Sequence, residues 1–93
     1  MQPFQSFAPA VLAAAIRRQP PSPARTAFAW SVAAGPAMAR AASVDTRGGV
    51  LVITTKDARW AREIGRMSAP LLTRVQALLG SDEVTSLRIC EKP

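Results

Sequence analysis

Apolar and polar positions change rhythm several times along this chain, and each change marks an element. Residues 6–18, SFAPAVLAAAIRR, form a mostly apolar run that ends in two arginines. Ser6 reads as an N-cap and Pro9 as a first-turn residue, while Arg17 and Arg18 suit the negative end of a helix dipole. Residues 19–23, QPPSP, hold three prolines and predict a stiff, extended linker. From about Ala24 to Ala41 the pattern is helical again. Phe28, Val32 and Gly35 or Pro36 line one side, with Trp30, Ala33 and Ala37 adjacent. Gly35-Pro36 should bend or interrupt that helix, because proline lacks an amide hydrogen and biases the residue before it away from helical angles.

The rhythm then shortens. Residues 43–46 predict a strand, Arg47-Gly48-Gly49 a tight turn, and Val50 to Thr55 a second strand. Val50 and Val52 fall on one face of that strand, Leu51 and Ile53 on the other. A strand apolar on both faces reads as central in its sheet and covered on both sides.

Residues 57–79 return to helical spacing. Trp60, Ile64, Met67, Leu71, Val75 and Leu78 are separated by 4, 3, 4, 4 and 3 residues. At 100° per residue they share an arc of about 80°, while Arg59, Arg62, Arg66 and Arg74 occupy a separate arc of about 120°. Pro70 breaks the regularity. Ser68 could cap a new helix with Ala69 and Pro70 in its first turn, so the segment reads as two helices, 57–66 and 69–79. Gly80 closes the second helix. Residues 84–89 predict a third strand, with Leu87 and Ile89 inward and Arg88 outward. The sum is an α+β domain, a three-stranded sheet packed by helices and preceded by a short N-terminal helix. The chain divides into residues 1–23, a helix and proline-rich linker, and residues 24–93, the domain proper.

Charge narrows the function. The 93 residues carry 12 Lys and Arg against 6 Asp and Glu, a net charge of +6. Ten of the twelve cations are arginine, whose planar fork fits phosphate. Nucleic acid, an anionic membrane surface and an acidic protein are the partner classes such a balance allows. The apolar run from Ala8 to Ile16 is too short to span a bilayer, and no basic segment precedes it as in a secretory signal. A single cysteine, Cys90, excludes an internal disulfide and fits a reducing compartment, so the chain reads as cytoplasmic.

Catalysis has little to be built from. The chain has no histidine to activate Cys90. Asp82-Glu83 reads as a turn before a strand rather than an acid–base pair, and Thr54-Thr55-Lys56 lacks the glycines of a phosphate loop. We expect no enzyme activity, no metal, no cofactor, no membrane partner and no small-molecule substrate.

Two resemblances follow from the motifs. The order from residue 24 onward resembles the α-β-β-α-α-β order of a type II KH domain, a fold that grips single-stranded nucleic acid with a GXXG loop. Gly65-Arg66-Met67-Ser68 stands in the place of that loop, with Ser68 where the second glycine would be. A broader resemblance rests on FAWSVAAGPAMARAASV (28–44), GGVLVITTKDARWAREI (48–64), LLTRVQALLG (71–80) and VTSLRI (84–89). Trp30, Gly35, Gly49, Leu51, Ile53, Trp60, Leu72 and Gly80 match, position by position, the pattern of the bacterial DciA family, long labelled a domain of unknown function. The resemblance implies a KH-like domain that binds DNA through basic surfaces and helps place the replicative helicase on it. Loader-type members often carry a basic extension, and this sequence ends at Pro93.

Arg59, Arg62 and Arg66 are therefore the candidate nucleic-acid face, with Arg17 and Arg18 as a second group. Arg25, Arg40 and Arg47 add to the positive charge. Trp60 and Trp30 read as core residues, because each sits among apolar positions at helical spacing. The expected function is a non-enzymatic accessory that binds single- or double-stranded DNA. The alternative is a protein–protein adaptor of the same fold that does not bind nucleic acid, with its charge serving an acidic partner and the open sheet face or helix 6–18 supplying the apolar contact.

Overall fold

The computed structural model describes residues 3–92, with side chains from Val11 to Lys92. The first helix, α1, runs Pro3–Arg18, so Ser6 lies inside it rather than at its cap. α1 needs no side-chain cap there because the chain already turns helically at Pro3, a residue suited to a first turn. After a short extended link, α2 spans Pro23–Ala34. The Ser22 hydroxyl accepts from the Arg25 amide at 3.0 Å, and Pro23 opens the first turn. Gly35 ends α2 at φ 89°, and α3, Pro36–Ala41, starts at once. Gly35-Pro36 thus interrupts the helix, as the local chemistry requires.

β1 (Ala42–Arg47) and β2 (Val50–Thr55) form an antiparallel hairpin. Gly48 and Gly49 turn it at φ 57° and 84°, left-handed angles that a side chain would strain. The chain then crosses over through α4 (Ala58–Arg66) and α5 (Ser68–Leu79) to β3 (Ser86–Glu91), which lies parallel to β2. The sheet order is β1-β2-β3, so β2 is central.

Three local expectations need correction. Ser68 is not a cap. Met67 alone joins α4 to α5, its amide donating back to Glu63 and Ile64 carbonyls, and Ser68 is the first residue of α5. Pro70 tolerates this because the first three helical positions need no amide donor. β3 begins two residues later than hydrophobicity indicated. Its register is set by pairing, Val50 opposite Ser86, and Val84 is buried in the preceding loop. β2, finally, is fully buried on one face only. Leu51 and Ile53 are fully buried, whereas Val50 and Val52 are half-buried. Val52 lies between Asp45 on β1 and Arg88 on β3, and the aliphatic stem of Arg88 can cover apolar surface.

The core gathers Trp30, Leu51, Ile53, Ile64, Leu71, Val75, Leu78 and Val84, joined by Ala13 and Ile16 of α1. α1 packs on α5. The two are tied further by Arg17, whose guanidinium donates to the Ala77 carbonyl at 2.8 Å. Among the described residues no helix is long and apolar enough to cross a membrane.

Candidate nucleic-acid interface

α4 carries the principal candidates. Asp57 caps it, accepting from the Arg59 amide at 2.8 Å. Ile64 is buried in the core, and Trp60, one turn earlier on the same side, is half-buried. That orientation turns Arg59, Arg62 and Arg66 away from the core. Arg59, Arg62 and Arg66 are all exposed. At 100° per residue they share an arc of about 60°. Arg66 reaches Glu63 at 3.4 Å, an exposed pair that contributes little. Arg59 and Arg62 make no ion pair among the described residues.

Arg74 does not belong to this face. The single-helix arc placed it there, but the break at Met67 moves it to α5, where it donates to the Ala33 carbonyl at 3.3 Å. Arg17 and Arg18 are exposed at the end of α1, yet both guanidinium groups are already bonded, Arg17 to Ala77 and Arg18 to Ala14. They stand on a different element from the α4 group. Arg25 is spent internally. It is 6% exposed, donates to the Ile16 carbonyl at 2.9 Å and pairs with Glu83 at 2.6 Å. It holds α1, α2 and the loop before β3 together and offers nothing to a ligand.

Between Gly65 and Ser68 there is no open loop. Gly65 and Arg66 belong to α4, Met67 is the joint, and Ser68 begins α5. Three further cations gain a place that sequence pattern did not give them: Arg40, which counted only as bulk charge, and Lys56 and Lys92. β1 starts where β2 and β3 end, and Arg40 precedes β1 while Lys56 and Lys92 directly follow β2 and β3. The topology therefore brings all three to one end of the sheet, where they line a common basin with Trp60. The available signal was positional, since each lies within two residues of a strand end. It becomes readable only once β3 is known to run parallel to β2.

No group of three or more His, Cys, Asp or Glu among the described residues could hold a metal ion. The site therefore offers charge, hydroxyls and one aromatic ring. It is suited to holding a polyanion.

The family model described as DciA, Dna[CI] antecedent, matches residues 3–89. A search of curated proteins finds no match to the chain.

Proposed function

The chain belongs to the DciA family, whose role in replication is helicase-loader-like, and from that premise we propose that it is a non-enzymatic DNA-binding accessory acting beside the replicative helicase. The observation that carries the DNA-binding part is α4. It turns Arg59 and Arg62 to solvent without ion pairs among the described residues, with Arg66 beside them, in a chain of net charge +6. Such a face binds phosphate with little regard for sequence. The KH-like reading of residues 24–93 belongs to the same proposal and is supported by the element order.

The test is a fluorescence-anisotropy titration with single-stranded and duplex DNA at two salt concentrations. Binding should weaken steeply with salt, because each neutralised phosphate releases counterion. Changing Arg59, Arg62 and Arg66 together to Gln should reduce the log–log slope on single strands by up to about 0.7 for each phosphate left unneutralised. Arg17→Gln with Arg18→Gln is the comparison, and should change the slope less, because both lie at the end of α1, on a different element from the α4 group. A parent chain that binds neither DNA at low salt sinks the reading.

One observation favours the adaptor alternative. Phe28 and Val32 on α2 are 50% and 41% exposed, an i, i+4 apolar pair facing outward. In that case the parent should bind neither DNA at low salt, and Phe28→Ser should abolish capture of the helicase.

A further inference from the structure

We infer that the basin at the open end of the sheet is a subsite for one unit of single-stranded nucleic acid, an unpaired base with its flanking phosphates. The inference rests on the nucleic-acid reading above and extends it from the α4 arginines to the end of the sheet, with Trp60 between the two. The basin has a volume of about 390 Å³ and is lined by Arg40, Ser43, Thr54, Lys56, Trp60 and Lys92 among others. Its geometry is built by the fold rather than by loose side chains. The Lys92 amide donates to the Thr55 carbonyl at 2.8 Å, which holds Lys92 beside the end of β2. The Thr55 hydroxyl donates to the Ala41 carbonyl at 3.0 Å and also accepts from the Asp57 amide at 3.3 Å. These bonds hold the segments that carry Arg40 and Lys56 in place.

Arg40, Lys56 and Lys92 make no ion pair among the described residues. The one carboxylate in the lining, Asp57, has an oxygen committed to capping α4. Cationic charge therefore exceeds anionic charge in the basin, and the ligand it selects is an anion. Trp60 makes the ligand a nucleotide rather than a bare phosphate. The ring is half-buried and packs on the core, yet it lines this basin and also a second hollow formed with Arg59 and Glu63. An accessible indole between two hollows that each carry arginine fits a base with phosphates on either side, the arrangement by which single strands are bound without sequence preference. A duplex keeps its bases stacked on one another and cannot use the ring.

The experiment measures binding of a dT oligomer and of a duplex of equal length to the full chain and to four variants. Changing Arg40, Lys56 and Lys92 together to Gln should weaken dT binding more than duplex binding. It should also lower the salt slope on dT by about 0.7 for each phosphate left unneutralised. Trp60→Leu, which keeps apolar bulk against the core, should weaken dT binding roughly tenfold, leave the duplex unchanged and leave the salt slope unchanged, because stacking carries no charge. Trp60→Phe should restore much of the dT binding. Saturating dT should quench tryptophan emission in the parent and not in Trp60→Leu, whose remaining Trp30 is 2% exposed. The Arg59, Arg62 and Arg66 triple variant separates the two proposals. If it loses dT binding while the basin variants bind as the parent does, the subsite is wrong and the α4 reading stands. If the parent binds no DNA, both fall. A Trp60→Leu variant that loses duplex and dT binding equally also overturns the subsite, since Trp60 would then serve the fold alone.

Discussion

Trp30 and Trp60 are the same side chain in two surroundings, and their substitutions should cost different amounts. Trp30 is 2% exposed, and its indole nitrogen meets no hydrogen-bond acceptor among the described residues. Trp30→Ala should destabilise by about 3–5 kcal/mol, the usual range for emptying a large buried aromatic site. Trp60 is half-buried, so Trp60→Ala should cost about half of that. Thermal melting of the two variants should rank Trp30→Ala clearly below Trp60→Ala, and the reverse order would place Trp60 deep in the core. Arg25 gives a second comparison. Arg25→Ala takes one of two donors from the Ile16 carbonyl, which the Gln19 amide also reaches, leaves Glu83 without its ion-pair partner, and should cost about 2–4 kcal/mol. Glu83 is partly hydrated, with 26% of its side chain exposed, so Glu83→Gln should cost about 1 kcal/mol. Denaturant titration resolves that difference. Equal costs would mean that the ion pair, and not the bond to Ile16, carries the effect of Arg25.

At the scale of elements, helix starts differ in how they are made. Ser22 and Asp57 each accept a backbone amide at the head of a helix, so Ser22→Ala and Asp57→Ala should each cost about 1 kcal/mol. Ser68 makes no such bond and occupies the first helical position of α5, where alanine is the better helix former. Ser68→Ala should therefore leave stability within about 0.5 kcal/mol of the parent, and Ser68→Gly should be the less stable of the two. A loss near 1 kcal/mol on Ser68→Ala would restore it as a cap. The joint at Met67 also explains why the helix signal was half legible. The apolar stripe from Trp60 to Leu78 survives the break, because the joint is a single residue and α5 packs on the same core. The arginine arc does not survive it, because Arg74 belongs to the second axis.

For the whole molecule, the question is what unfolds as one unit. The sequence places a boundary at residue 23, and we propose that α1 nonetheless melts with the rest. Ile16 is 3% exposed and Ala13 7%, both within the same core cluster as Leu71 and Val75. Arg17 and Arg25 add bonds across the linker. Ile16→Ala should then cost about 2–4 kcal/mol and lower the midpoint of a single transition. If α1 were an appendage, Ile16→Ala would melt with the parent. The sheet buries Leu51 and Ile53 on one face and leaves Val50 and Val52 half-buried on the other. A chain of this length buries only about 60% of its unfolded surface, which leaves little material for a second helical layer.

The sequence alone determined most features that are settled within a few residues, the caps expected at Ser6 and Ser68 excepted. The paired glycines, Gly35-Pro36, Gly80 and the 3.6-residue spacing of Ile64, Leu71, Val75 and Leu78 each constrain φ and ψ locally, and the element order followed from them. The family pattern was legible for the same reason, since it consists of those local signals in order. What only the tertiary structure decided is which side of each element meets another. On α2, Ala29, Trp30 and Ala33 turn inward and Phe28 and Val32 outward. One face of β2 is fully covered. Arg25 meets Glu83 across 58 residues of chain and leaves the binding surface. Arg40, Lys56 and Lys92 share a basin because β2 and β3 run parallel and β1 runs against them. Burial and convergence depend on contacts between residues distant in sequence, and a pattern read along one chain carries the period of an element but not the identity of what packs against it.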